Sequence, residues 1–166
     1  MPEIIRFYRE NSEHLQPFSP TYTADFLDEA TWIEQVHNRA PELAASAGFR
    51  AFLFVRTAPK RIIGNLNLTQ VHRGAFQSCV LGYNLAAAEQ GMGYMTEAVR
   101  SAVAFAFGVW KLHRVAASYM PRNVRSAAVL ERCGFKVEGD APAYLLINGQ
   151  WEDHVLTAIT NPAWTA

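Results

Sequence analysis

The sequence predicts an α/β fold of the α+β kind, a twisted and mostly antiparallel sheet flanked by helices, on three observations. Between Arg50 and Ala86, short runs rich in Phe, Val, Ile and Leu are separated by turn residues, which is the pattern of an antiparallel meander. From Tyr94 onward, helical and extended stretches alternate. The last third holds two β-like runs joined by Asn148 and Gly149, a dipeptide that favours a tight hairpin turn.

Taken in order, Ile4, Ile5, Tyr8 and Leu15 recur at helical spacing from about Pro2, and Pro17 and Pro20 end the pattern, predicting one short helix and a loop. Thr23 and Asp25 are candidate caps for a second helical region through Phe26, Leu27, Ile33, Val36 and Leu43. Pro41 interrupts it, predicting two helices or one broken helix before Gly48. Arg50–Arg56 and Arg61–Val71 read as neighbouring strands around an Ala58-Pro59-Lys60 turn. His72, Arg73 and Gly74 form the next turn, and Gln77–Ala86 the third strand. Tyr94–Trp110 is an Ala-rich helix and His113–Met120 a strand stopped by Pro121. Val124–Arg132 is a helix closed by Gly134, and Tyr144–Ile147 with Trp151–Ile159 the terminal hairpin.

The 166 residues, half of them hydrophobic, suit one domain, 1–166, with a sizeable core. Fifteen basic and 15 acidic residues give a formal net charge of zero, so broad attraction to nucleic acid or to an anionic membrane has no support. The longest apolar stretch, Ala98–Trp110, is broken by Arg100 and Ser101 and falls short of the roughly 20 residues that span a bilayer. Cys79 and Cys133 stand alone in apolar segments, which suits a reducing cytoplasm. His14, His37, His72, His113 and His154 are scattered, and the cysteines lack paired spacing, so the expectation is no metal. Phe49, Phe52, Phe54, Phe105, Phe107 and Trp110 sit at strand or helix spacing and read as core rather than as a base-stacking platform.

The most informative stretch is Leu81-Gly82-Tyr83-Asn84-Leu85 followed by Gln90-Gly91-Met92-Gly93-Tyr94-Met95-Thr96-Glu97-Ala98. Where a strand turns into a helix, the first amides have no intrahelical partner and the helix dipole is positive, so a pyrophosphate fits there without a lysine. Gly91 and Gly93 let the backbone come close to phosphate oxygens. A dinucleotide fingerprint would need a third glycine near Thr96, and a Walker loop would need Gly-Lys followed by Ser or Thr; neither is present. A plain tight turn is the competing reading of the two glycines.

This order of strand, Gln-Gly-x-Gly-Tyr-x-Thr-Glu-Ala helix and strand, then Asn123-x-x-Ser126 opening a helix that ends in Cys133-Gly134-Phe135, closely resembles the GNAT acyltransferase superfamily. Within it the chain looks like the RimJ/RimL branch of ribosomal-protein N-terminal acetyltransferases. Tyr144-Leu145-Leu146-Ile147-Asn148-Gly149-Gln150-Trp151 and Asp153-His154-Val155-Leu156 are most similar to the RimJ-type alanine acetyltransferases. The resemblance covers nearly the whole chain.

The resemblance implies acetyl-CoA as acyl donor. Amides of Gln90, Gly91, Met92, Gly93, Tyr94, Met95 and Thr96 would hold its pyrophosphate, while Tyr83, Asn84 and Leu85 pair with the pantetheine arm and Asn123 also bonds it. Met95 stands where the general pattern has a small residue, so its side chain must point away from the phosphates. The family usually opens with a strand ahead of the first helix, whereas this chain opens almost directly in the helix at Pro2-Glu3-Ile4-Ile5. Either that first strand is missing or the start site is placed late, and a lost edge strand exposes unpaired backbone groups.

Acetyl transfer to an amine needs a neutral amine, stabilisation of a tetrahedral oxyanion and a proton for the departing thiolate. A protein α-amine, with a pKa of about 7.7–8.0, is roughly one-tenth neutral at pH 7, so a weak base suffices. Backbone amides near Asn84 and Leu85 are the candidate oxyanion donors. Ser126 and, as its rival, Tyr119 are the candidate acids; a serine that merely caps its helix and a tyrosine in the core are the bland alternatives. Glu97, Glu138, Asp153 and His154 are the candidate bases, with Glu97 better suited to supporting its helix's first turn, at most one of Asp153 and His154 able to face the cleft, and a surface or structural role the competing reading of each. Arg114 and Arg122 are candidates for the adenosine-side phosphate.

The expected acceptor is a protein N-terminal amine, by resemblance an alanine of a ribosomal protein. A small-molecule amine, or acyl-CoA binding without turnover, are the alternatives. The candidate acceptor loops, Phe18–Leu27 and Gly74–Gln77, carry no deciding residues. A monomer and a homodimer are both compatible with the sequence.

Overall fold

A computed structural model describes residues 2–165. Its elements run α1 (Pro2–Glu10), α2 (Ser12–Leu15), α3 (Glu29–Ala44), β1 (Phe49–Val55), β2 (Ala58–His72), β3 (Ser78–Leu85), α4 (Tyr94–Gly108), β4 (Arg114–Tyr119), α5 (Val124–Arg132), β5 (Lys136–Ile147) and β6 (Gln150–Thr160). The strands form one six-stranded sheet in the order β1-β2-β3-β4-β6-β5. Among the described residues only β3 and β4 are parallel.

Alternation along the strands sends apolar residues to both faces, and each face has its own core. On one face α4 lays Met95, Val99, Ala102, Val103 and Ala106 against Leu66 and Leu68 of β2, Cys79 and Leu81 of β3, and Val115 and Ala117 of β4, while Leu130 anchors α5. Leu68, Val99 and Val115 are fully buried, each contributing about 1.5–3 kcal/mol. On the other face, Ile4, Phe7 and Tyr8 of α1, Leu15 of α2 and Trp32 of α3 pack over Ile62, with Phe52 against them. Tyr8 stacks on Trp32, and Phe26 meets both rings edge-on.

The structure differs from the sequence expectation at several boundaries. The N-terminal region is two helices, α1 and α2, run into a short 3-10 turn at Gln16–Phe18. Helix α3 is continuous through Pro41 and starts after Asp28, with Thr23 and Asp25 in preceding turns. The carbonyl that Pro41 leaves without a donor belongs to His37, which is exposed, so water can serve it. The β1–β2 turn is at Arg56 and Thr57, because register shifts between Leu53 and Val55 draw Ala58–Lys60 into β2. Pro59 is tolerated there because β3 pairs with β2 only from Gly64 onward. At Ile62, just before that pairing begins, side chains of α1 take over the backbone: Glu3 accepts from the amide at 2.8 Å and Arg6 donates to the carbonyl at 3.1 Å.

Strand β5 starts at Lys136, eight residues before the predicted Tyr144, and reaches Ile147 across irregularities at Val137/Gly139 and Ala141/Leu145. Among the described residues no strand precedes α1. No helix among them is long and apolar enough to cross a membrane.

Candidate active site

β3 and β4 pair for only three rungs, Ser78–Arg114, Cys79–Val115 and Val80–Ala116. Beyond them β3 stays on β2 as far as Leu85, and β4 stays on β6 as far as Tyr119, so the sheet splits between the two strands. Ladder parity decides which backbone groups line the split. The Ala86 amide donates to Ile63 at 2.7 Å, so the amides of even-numbered residues on β3 turn toward β2 and those of Tyr83 and Leu85 turn into the opening. Of the two amides expected to serve an oxyanion, Leu85 faces the split and Asn84 is committed to β2.

At the open end of β3 the chain passes a 3-10 turn at Ala87–Glu89 and enters α4 through Gly93. Gly91 and Gly93 hold φ of 80° and 81°, a region that disfavours side chains, and a Cβ on either would meet nothing within 4 Å. Gly93 caps α4 without a side-chain bond, and the first helical bond is from Glu97 to Gly93 at 3.0 Å. None of the amides from Gly91 to Thr96 has a partner among the described residues. The turn thus presents a run of amides at the positive end of a 15-residue helix, with open space above both glycines. Met95 points into the core, only 4% exposed, while Met92 is exposed.

Gln90 fixes the turn from two sides. Its side-chain oxygen accepts from Arg125 of α5, and its Nε2 lies 2.8 Å from His14 Nε2 of α2. The Ala87 amide donates to Asn11 Oδ1 at 3.0 Å. Asn11, His14 and Arg125 carry no motif that would single them out in the sequence, since their partners are at least 35 residues away.

Asn123 and Ser126 come together as their spacing suggests. Asn123 Oδ1 accepts from the Ser126 amide at 3.1 Å and caps α5, which leaves the serine hydroxyl for other work. That hydroxyl lies 2.9 Å from the Tyr83 hydroxyl, which also donates to the Ser126 carbonyl at 3.2 Å. The pair bridges β3 and α5 beside the split. Burial pushes the Tyr83 hydroxyl up to about 12, so it stays a proton donor at neutral pH. Tyr119, the rival acid, packs against the core of the α4 face and forms no side-chain hydrogen bond among the described residues.

The other candidates separate by position. Arg114 lies at the start of β4, opposite the split, and is paired with Glu138, which removes both from the site. Arg122 is held by both oxygens of Glu152 at 2.6 and 2.9 Å and by the Pro17 carbonyl at 3.2 Å. Glu97 is exposed in the first turn of α4. Asp153 accepts from the Ala143 amide at 2.8 Å, supporting the irregular part of β5. His154 is buried one residue beyond the Val155–Tyr119 rung, on the face opposite α4 and α5. Its Nδ1 is 2.9 Å from the Glu152 carbonyl, which can only accept, so Nδ1 is the donor and Nε2 is the nitrogen that bears the lone pair in the neutral ring.

The face opposite α4 also bears Asn84, Asn65 and Phe52 in one cross-strand row, and Gly82, Asn67 and Arg50 in the next. Asn65 donates to the Tyr8 hydroxyl at 2.7 Å. Asn84 Oδ1 is buried with no hydrogen-bond partner among the described residues.

An acetyltransferase (GNAT) domain model matches residues 2–136. The [ribosomal protein uS5]-alanine N-acetyltransferase of Escherichia coli is 40% identical over 170 residues, covering 98% of this chain and 83% of that protein. The crystal structure of ribosomal-protein-S5-alanine acetyltransferase from Vibrio fischeri superposes with a TM-score of 0.94 at 33% identity, covering 99% of this chain and 89% of the other. RimJ of Mycobacterium smegmatis, in complex with CoA-disulfide, superposes with a TM-score of 0.85 at 29% identity, covering 94% and 75%. A sheet split after three rungs, a two-glycine turn into α4 and similarity along almost the whole chain lead to one assignment: this protein belongs to the GNAT acetyltransferase family.

Proposed function

We propose that this chain transfers acetyl from acetyl-CoA to the N-terminal α-amine of a protein, an alanine of a ribosomal protein by similarity to the uS5-alanine enzymes, and that it does so in the cytoplasm. The observation that carries the donor half is the run of unpartnered amides from Gly91 to Thr96 beside the split strands. A pyrophosphate suits the amides, and an extended, amide-bearing arm suits the backbone groups of Tyr83 and Leu85. Acetyl-CoA, bound there, supplies an activated acyl thioester.

The residues around the split then have distinct tasks. The Leu85 amide points to where an oxyanion would be stabilised. Ser126, hydrogen-bonded to Tyr83, is placed to return a proton to sulfur, and Asn123 fixes the turn that presents it. Asn84, in the row of β3 beside the split, borders the opposite face from which the amine would enter. His154 Nε2, on that same face, is the base that takes the amine's proton, directly or through water. An α-amine needs little help at neutral pH, so one histidine suffices as its base.

The test is acetyl transfer from acetyl-CoA to an Ala-initiated peptide set against spermidine, free alanine and an aminoglycoside. Preference for the peptide supports the proposal. Preference for a small amine overturns the acceptor, and acetyl-CoA binding with no transfer to any of them overturns the enzymatic role.

A further inference from the structure

A cavity of about 180 Å3 opens on the face of the sheet opposite α4, between α3 and strands β1 and β2. Its walls include Trp32, Phe52, Asn67, Arg39 and Arg50. The Arg39 guanidinium stands 5.5 Å from the ring centres of both Trp32 and Phe52, half-buried, with no carboxylate in ion-pair range among the described residues. Arg50 is paired with Glu42 at 3.2 Å, and Arg39 beside it has no such partner among the described residues. Burial first, and the Arg50 charge second, push Arg39 below its ordinary value, as expected of a cation short of counter-charge.

The cavity connects to the split through the backbone pairing. Arg50, Asn67 and Gly82 form one cross-strand row, so the arginine side of the cavity is two strand spacings, about 10 Å, from β3. Gly82 is exposed, and a Cβ there would meet nothing within 4 Å, which leaves the path over β3 clear. An extended chain covers roughly 3.3 Å per residue, so a polypeptide whose amine lies at Asn84 brings its third or fourth residue to the arginines.

We propose that Arg39 and Arg50 form a subsite for an acidic side chain at the third or fourth position of the acceptor polypeptide. This rests on the protein N-terminal acceptor proposed above. Arg39 is half-buried over the neighbouring Trp32 and Phe52 rings, 5.5 Å from each centre, so its guanidinium has a restricted position at the cavity wall before the ligand arrives. The same positive charge disfavours a polyamine acceptor.

The experiment compares kcat/KM for Ala-initiated hexapeptides carrying Glu, Gln or Lys at positions three and four, with wild-type, Arg39→Gln and Arg50→Gln enzymes. Wild type should favour Glu over Gln about tenfold and reject Lys. Arg39→Gln should erase that preference while acetyl-CoA affinity is unchanged. Equal rates on all peptides with the wild-type enzyme overturn this inference and leave the acceptor class standing. Transfer to none of the peptides overturns both. The wild-type comparison decides the matter even if an arginine variant folds poorly.

Discussion

The Tyr83 hydroxyl lies 2.9 Å from Ser126 Oγ, joining the end of β3 to the first turn of α5. A tyrosine expected only for its backbone thus becomes the side-chain partner of the candidate acid. If the two act as one unit, their deletions are not additive. Ser126→Ala and Tyr83→Phe should each lower kcat on the order of 10²-fold, and the double variant should be little worse than the more damaged single one. Steady-state kinetics beside calorimetric acetyl-CoA affinities check this, and additive losses would break the unit.

Gly93 separates binding from folding. At φ 81° with open space around its Cβ position, substitution costs the fold only left-handed strain, about 1–2 kcal/mol. In the proposed donor site the same Cβ would stand where phosphate oxygens approach the amides. Gly93→Asp should therefore abolish acetyl-CoA binding in calorimetry while the protein still melts cooperatively, and Gly93→Ala should weaken binding with a small fall in melting temperature.

Arg114 and Arg122 should prove irrelevant to the donor. One is paired with Glu138 at the far end of the strands, and the other is engaged by Glu152. Arg114→Met and Arg122→Met should leave the acetyl-CoA Kd within about twofold and lower stability by about 0–1 kcal/mol each, as for other exposed pairs.

The pH dependence of stability should fall on both sides of neutral. Burial pushes Tyr8 and Tyr83 from 10.0 up to about 12, and Cys79 from 9.0 up to about 12. The folded chain keeps protons that the unfolded chain releases, so stability is complete below about 9 and declines as pH rises toward 12. Glu3 behaves oppositely. Its hydrogen bond from Arg6 holds its carboxyl below 4.5, so that contribution is present above 4.5 and is lost as the solution is acidified. Melting temperature against pH checks both limbs, and Cys79→Ala should flatten the slope between about 9 and 10.

Much of this was legible in the residues because it is local. The helix Val124–Arg132 was read to the residue, since Asn123 caps it and Gly134 follows it with φ 88°. The strand-to-helix turn was equally clear, because two glycines and an amphipathic run are contiguous. What escaped is set by distant partners. Pro59 looked like a turn until the register with β1 placed it on an unpaired margin of β2. The early part of β5 carries Gly139 and Pro142 and alternates poorly, and it is held extended by β6. The Asn84 amide was counted toward the site because letters alone do not give ladder parity. His14 and Arg125 meet Gln90 across gaps of 76 and 35 residues, beyond any local signal.

The brevity of the β3–β4 seam has a mechanical consequence. Among the described residues three rungs, with the His113 amide bonded to the Gln77 carbonyl at 2.9 Å beside them, hold the β1-β2-β3 leaf to the β4-β6-β5 leaf, and α4 and α5 pack across the seam. In the proposed donor complex, an amide-bearing arm bonded to the free edge would add rungs the polypeptide lacks, so the sheet would be finished by its own reagent. Saturating acetyl-CoA should then slow amide exchange at Tyr83 and Leu85 together, and release of the spent carrier should loosen the seam between turnovers.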